Sequence, residues 1–328
     1  MKTLVTGATG FLGSELVRQL VERGEDVRIL RREKSGLDLL ADVVDRVEHA
    51  IGDVTDSDSL MAALEGVRLV YHTAGLVRFE GKSGEEQLRQ VNVQGTANVV
   101  NAALRTGVER LVHTSSMAAF GRPEVPSGMI DETADWQGSS VNSVYARSKY
   151  EGELEVHRGI AEGLDAVIVN PALIFGVGRR GDNTMQIVEK VRDRKLPAIP
   201  PGGTNVVDVI DVAAGHIRAM EAGTVGERYF LGNENLSWSE IIGTLAGAFG
   251  VEPPRFKVGP RMALAIARVS EAVSAITRMR PLITMETART ASKFYRYSNR
   301  KAVGELGCSF RPFRETAERL AKELSAVS

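Results

Sequence analysis

Residues 1–13 read Met1-Lys2-Thr3-Leu4-Val5-Thr6-Gly7-Ala8-Thr9-Gly10-Phe11-Leu12-Gly13. A short apolar run enters a glycine-rich turn, and apolar residues then recur at helical spacing through Phe11, Leu12, Leu16 and Leu20. Strand, turn and helix in that order suit the pyrophosphate of a dinucleotide, because a helix N-terminus presents unpaired N–H groups to an anion. In this reading Gly7 makes the tight turn, Gly10 removes the Cβ that would hold the phosphates off, and Gly13 lets the helix pack close to the strand. The spacing is G-x-x-G-x-x-G rather than G-x-G-x-x-G. The strand before and the helix after favour the fingerprint over an ordinary glycine-rich turn.

Outward from this turn, strand-like and helix-like segments alternate. Residues 27–30 follow the first helix; 47–51 end at Gly52-Asp53, and 69–72 end at Thr73-Ala74-Gly75. A long helical periodicity covers 85–105, and 111–114 end at Ser115-Ser116. Residues 145–162 read as a helix and 166–169 as a strand ending at Asn170-Pro171. Such alternation predicts an α/β fold, a doubly wound parallel sheet of the Rossmann type. Ligands of these sheets sit beyond the carboxyl ends of the strands. The expected cofactor contacts are therefore Gly7, Thr9, Gly10, Phe11, Leu12, Gly13, Arg31, Arg32, Asp53, Val54, Thr73, Ala74, Gly75, Thr114, Pro171, Ala172 and Ile174.

After Pro171 the character changes. Gly, Pro and Arg crowd between 176 and 203, 206–222 return to a strand-then-helix pattern, and 228–231 form another short strand candidate. The rest is mainly helical at 237–249, 261–276 and 312–324, with Ser237 and Glu240 spaced as a capping box. The expectation is a dinucleotide-binding domain at 1–170, to which 206–222 return. Segments 171–205 and 223–328 form a smaller, mainly helical substrate lobe.

Composition narrows the function classes. The 328 residues are 43% hydrophobic and 25% charged, as in a soluble globular protein. A net charge of −1 gives no broad electrostatic case for nucleic acid. The lone Cys308 excludes an internal disulfide framework, and the five histidines show no metal-ligand spacing, so no metal is expected. The first strand leaves no room for a signal peptide, and no apolar run has the length of a membrane span. The expected location is the cytoplasm.

The residues at the strand ends carry the chemistry. The second strand runs into Arg31-Arg32, with no acid at its end to hold a ribose 2′-hydroxyl. Arginine there accommodates a 2′-phosphate, so the cofactor expected is NADP rather than NAD. Asp53 has two readings, an acceptor for the adenine amino group or a turn acid. Tyr145 and Lys149 stand four apart and share a helix face. A cation there is expected to lower the tyrosine pKa, making Tyr145 a general acid toward a carbonyl oxygen that receives hydride, while Lys149 also reaches the nicotinamide ribose. One serine of Ser115-Ser116 polarises the same carbonyl. Asn92 supports the site or is structural. Arg179 and Arg180 either contact an anionic substrate or sit in a solvated loop, and the 261–276 helix lines an apolar pocket, rests on a membrane surface or packs the lobe.

These residues together resemble the extended short-chain dehydrogenase/reductases over essentially the whole chain. The matching pieces are Thr6–Gly13, Gly52-Asp53, Asn92-Val93-Gln94-Gly95-Thr96, Thr114-Ser115-Ser116, Tyr145 with Lys149, and Asn170-Pro171-Ala172. Within that superfamily the chain looks most like the dihydroflavonol-4-reductase-like branch. That branch includes 3β-hydroxysteroid dehydrogenases and bacterial hopanoid-associated sugar epimerase-like proteins, which Gly226–Asn235 and Glu305-Leu306-Gly307 resemble closely. The resemblance implies hydride transfer from nicotinamide, Tyr145 as proton donor, Lys149 on the ribose, Ser116 on the substrate oxygen with Ser115 as the fallback, and Arg32 on the adenosine phosphate. It also implies a homodimer. Two departures count against a sugar epimerase. Thr204-Asn205 stand where sugar-nucleotide enzymes carry Arg, and the arginines at 31–32 suit exchangeable NADP. The lead expectation is an NADPH-dependent reductase of a ketone or aldehyde. The alternatives are an NAD(P)-dependent sugar epimerase and a non-catalytic NADP-binding regulator.

Overall fold

The computed structural model describes residues 1–77, 81–277 and 285–325. Its strands are β1 (Lys2–Thr6), β2 (Asp26–Arg31), β3 (Glu48–Ile51), β4 (Leu69–His72), β5 (Arg110–Thr114), β6 (Met129–Ile130), β7 (Ala166–Pro171), β8 (Leu173–Phe175), β9 (Gly203–Asp208), β10 (Arg228–Leu231), β11 (Glu234–Ser237) and β12 (Arg296–Tyr297). Seven of them make one sheet in the order β3-β2-β1-β4-β5-β7-β10. Every neighbouring pair in it is parallel. The chain winds outward from β1 to β3, then restarts at β4 and winds the other way. The crevice at that reversal, between the ends of β1 and β4, is where such sheets bind ligands.

Burial on both faces explains the near-continuous apolar strands. Leu4, Val5, Val70, Leu111, Val112, Ile168 and Val169 are all fully buried. One face packs on helices Phe11–Glu22 and Val209–Ala222, the other on Ser57–Ala63, Gly95–Thr106 and Val144–Ala161. Each such Leu, Ile or Val contributes roughly 1.5–3 kcal/mol of burial free energy.

Two sequence expectations need correction. Segment 223–328 does not belong wholly to the substrate lobe, because β10 pairs with β7 and closes the main sheet. The 206–222 stretch is divided: the helix Val209–Ala222 packs on the main sheet, whereas β9 joins β8 and β11 in a separate three-stranded sheet. The lobe therefore contains strands as well as helices. The long 85–105 helix is present, as a continuous helical run through residues 81–106. Helices Gly81–Leu88 and Gly95–Thr106 are joined by a wider π-type turn at Arg89–Gln94, and Asn92 sits inside it.

The lobe has its own core around Phe175, Ile241, Ile242, Leu245, Phe313 and Leu320. Helix Trp238–Ala248 starts with the expected capping box. The Glu240 amide donates to Ser237 Oγ at 3.2 Å, and the Ser237 amide donates to Glu240 Oε2 at 2.8 Å. Helix Pro260–Thr277 packs through Ala263 and Ala267 while Met262, Ile266 and Val269 face outward. No helix among the described residues is long and apolar enough to cross a membrane.

Candidate active site

The glycine turn closes tightly on its own strand. Gly7 has φ +68°, and a Cβ there would lie 2.5 Å from the Ala74 amide nitrogen. A Cβ at Gly13 would lie 2.3 Å from the Gly7 carbonyl oxygen. Both contacts are with backbone, which cannot move aside cheaply. Gly10 caps helix Phe11–Glu22 without a side chain, and the first turn carries no acid. The first N–H groups of that helix are thus open to an anion, which fits a dinucleotide's pyrophosphate.

Beside the turn, β4 ends in a bonded corner. Thr6 Oγ1 bonds His72 Nδ1 at 2.7 Å and accepts from the Ala74 amide at 3.3 Å. The Thr73 hydroxyl donates to the Thr6 carbonyl at 2.7 Å. Gly75 follows with no side chain, and a Cβ there would lie 3.1 Å from Lys149 Nζ. Three buried histidines line the strand ends. Burial pushes His72 down to about 3 and His216 to about 4, and it drives His113 well below its ordinary value. All three are neutral at pH 7, consistent with structural roles.

Helix Val144–Ala161 carries the reactive pair. Ser143 caps it, accepting from the Ala146 amide at 2.9 Å. Tyr145 hydrogen-bonds Ser116, whose Oγ also accepts from the Ala118 amide at 3.2 Å. Ser115, in contrast, is buried with no partner on its hydroxyl among the described residues. The structure thus brings Ser116, not Ser115, to the phenol. One turn on, Lys149 Nζ donates to the Thr114 carbonyl at 2.9 Å. Burial lowers the Lys149 pKa to about 8, while Glu153 opposes that shift.

The expected depression of the tyrosine pKa is not what the structure shows. Burial raises the Tyr145 phenol above its ordinary value, against the contact with Ser116 and the charge of Arg122. Lys149 is not among the groups acting on it; its ammonium turns onto the Thr114 carbonyl instead.

A buried polar network holds this set in place. Asn92 accepts from the Leu76 amide at 2.8 Å and donates to the Leu76 carbonyl and to Ser148 Oγ, both at 2.9 Å. The π-type turn therefore ties the segment after β4 to the helix of Tyr145. On the other side, Asn170 Nδ2 donates to Glu153 Oε1 at 2.6 Å and to the Ser116 carbonyl at 3.0 Å. Arg228 pairs with Glu153 at 3.5 Å. Sequence reasoning missed Glu153 and Arg228. Glu153 was discoverable, since it lies four residues beyond Lys149 on the same helix face.

The opposite end of the cleft is more open. Arg31 Nε donates to His49 Nδ1 at 2.8 Å, and its Nη1 donates to the Glu33 carbonyl at 3.2 Å. Arg32 is exposed and makes no side-chain bond among the described residues. Asp53 Oδ1 accepts from the amide and hydroxyl of Thr55 at 2.9 and 2.8 Å, so this carboxylate builds a turn. Val54 is buried, with its carbonyl bonded to Asn98. Arg180 is exposed. Arg179 is half-exposed and binds Asp38 and the Thr9 and Gly36 carbonyls. At the far side of the sheet, Pro171 ends β7, the Ala172 amide bonds the Leu231 carbonyl, and Ile174 lies half-buried in β8. The Thr114 hydroxyl is taken by His216 at 2.8 Å.

A cleft of about 920 Å³ opens behind helix Phe11–Glu22, lined by Arg18, Asp42, Arg218 and Arg319 among others. None of Ser116, Tyr145 and Lys149 reaches it, and its main charges are already paired. Ser116, Tyr145 and Lys149 cluster at the strand ends instead.

Sheet order, glycine turn and the Ser-Tyr-Lys constellation together define an NAD(P)-dependent oxidoreductase of the extended short-chain dehydrogenase/reductase class. The family model described as the NAD dependent epimerase/dehydratase family matches residues 3–232, and the chain belongs to that family. It is 35% identical to a protein from Synechocystis named as a dihydroflavonol 4-reductase, over 92% of this chain and 88% of the relative. It is also 35% identical to sterol demethylase protein B of Methylococcus capsulatus, over 94% and 93% of the two chains. Among solved structures, gox2253 superposes with a TM-score of 0.85 at 37% identity, covering 99% of this chain and 98% of that one.

Proposed function

We propose that this protein is an NADPH-dependent reductase of ketones or aldehydes, reversible as an alcohol dehydrogenase. The observation that carries the reading is the contact between Tyr145 and Ser116, with Lys149 one turn away in a buried setting. Bound at the glycine turn, the nicotinamide cofactor supplies or accepts the hydride. Ser116 orients the substrate oxygen, and Tyr145 donates the proton that oxygen gains. A raised phenol pKa keeps Tyr145 protonated at neutral pH, the state a proton donor requires. Lys149 stays largely cationic at pH 7 and, anchored on the Thr114 carbonyl, serves the nicotinamide ribose rather than the phenol. Exposed Arg32 and the absence of an acid at the end of β2 support NADP.

The sugar-epimerase alternative finds little support at β9. Asn205 is fully buried and bonded to the Asn233 carbonyl and Asn235 Oδ1, with no guanidinium at either 204 or 205. The test is NADPH consumption, read at its near-ultraviolet absorbance against a carbonyl panel, with NADH run in parallel. Net NADPH loss supports the reductase. Stereochemical inversion of a sugar nucleotide without net loss overturns it.

A further inference from the structure

We propose that Arg179 is the second guanidinium of the adenosine 2′-phosphate site, partnering Arg32, and that Asp38 holds it there in readiness. This deepens the NADP reading and rests on it.

The residue expected to partner Arg32 was Arg31, but its guanidinium is engaged. Its Nε is on His49, and its Nη1 is on the carbonyls of Arg32 and Glu33. Arg179 reaches the same region from across the cleft. It stands in the turn after β8 that lies over Phe11, where a Cβ at Gly178 would come within 3.1 Å of the Phe11 ring. Arg179 Nη1 donates to the Thr9 carbonyl at 3.0 Å, and Nη2 donates to the Gly36 carbonyl at 3.1 Å. Nε and Nη2 grip Asp38 at 2.9 and 2.8 Å.

One cation therefore spans two loops with different tasks. Thr9 belongs to the glycine turn, which faces the pyrophosphate. Gly36 and Asp38 belong to the loop after Arg32, which faces the ribose. In NADP the ribose joins these two parts, and the 2′-phosphate projects from it. A guanidinium bonded to both loops stands at that junction.

The carboxylate occupies the position a phosphate would take. Two oxygens of Asp38 fill the fork of Arg179, the geometry that phosphate also satisfies. Arg179 in turn holds the Asp38 carboxyl below its usual range. The Asp38 side chain is 57% exposed and that of Arg179 33%. An ion pair so placed is weak, so a phosphate dianion displaces the carboxylate at small cost. Meanwhile Asp38 keeps a long side chain oriented before the ligand arrives. Removing Arg179 would also leave Asp38 as a bare negative charge facing the phosphate.

The test is calorimetric binding of NADP, NAD, adenosine 2′,5′-bisphosphate and 5′-AMP to the full-length protein. The variants are Arg179→Gln, Arg179→Lys, Arg31→Gln, Asp38→Asn and the double variant Arg179→Gln/Asp38→Asn. Arg179→Gln should weaken NADP and the bisphosphate at least about tenfold, the size of one charge-assisted hydrogen bond, while NAD and 5′-AMP change less than about twofold. Arg179→Lys should keep part of the preference, and the double variant should recover part of the loss. Arg31→Gln should shift every ligand less than about twofold. An Arg179→Gln effect equal on NADP and NAD makes Arg179 a loop brace and overturns the proposal, as does a larger effect from Arg31→Gln. A wild-type preference for NADP that survives Arg179→Gln overturns this proposal alone. Equal wild-type affinities for the two cofactors overturn the NADP reading along with it.

Discussion

Where Tyr145 stands, the supporting side chains are buried: Lys149 is 6% exposed, Asn92 2%, Glu153 1% and Asn170 0%. They bond to one another or to main-chain groups that have fixed positions. Around Arg32 the side chains are open to water: Arg32 and Asp38 are exposed, and Asp53 is half-buried with Oδ1 capping its own turn. In the function proposed above, the contrast follows from what each end does. Proton transfer needs donors fixed to fractions of an ångström, which only a packed, satisfied network supplies. Choosing between cofactors needs only a charge within reach, and solvated side chains supply it without disturbing the fold.

Four experiments bear on that contrast. The largest effect is expected from Tyr145→Phe, which should lower kcat about 10²–10⁴-fold while the thermal midpoint stays near wild type. Unchanged turnover would break the assignment of the rigid end as the reactive one. Glu153→Ala should come next, because it removes the carboxylate partner of Arg228 and strips an acceptor from Asn170. Breaking a buried pair of this kind costs about 3–5 kcal/mol, read by urea unfolding. A loss below about 1 kcal/mol would show that the network is ornamental.

A third test uses pH. Lys149 has a folded pKa of about 8, below its unfolded value, so between the two the unfolded chain holds a proton that the fold has released. Stability from this group therefore rises with pH above 8, by about 1.4 kcal/mol per unit at most, until the unfolded lysine also titrates. Lys149→Met should remove that rise in urea midpoints measured from pH 8 to 10. Activity should move the other way, falling as the ammonium is lost. The smallest effect belongs to the open end. Asp53→Asn should change stability by no more than about 0.5 kcal/mol in the same assay. A loss several times larger would mean that this end is not built from surface groups after all.

The fold was legible because its signals are local. Strand, turn and helix at residues 1–22 and the alternation that follows are written in short-range apolar spacing. The Tyr145–Lys149 pair was legible for the same reason, being four residues apart on one helix. Pairings between distant segments were not. Nothing near Arg228 announces that it meets Glu153, 75 residues earlier, or that its strand completes the main sheet. Arg179 reaches Asp38 across 141 residues, and two flanking glycines made it read as loop. The tyrosine pKa was misjudged because spacing reports which groups are neighbours but not how much water they lose. At Tyr145 the loss of water outweighs the charge nearby.

The placement of β10 at the edge of the main sheet has a consequence for dissection. The chain leaves that sheet after β7, makes the lobe's strands, returns through helix Val209–Ala222 and β10, and leaves again. A gene fragment ending at residue 171 would bare the flank of β7, whose six residues are all buried, to any passing strand. The two parts are woven rather than joined in tandem, so the lobe cannot be swapped as a cassette without carrying a piece of the sheet with it.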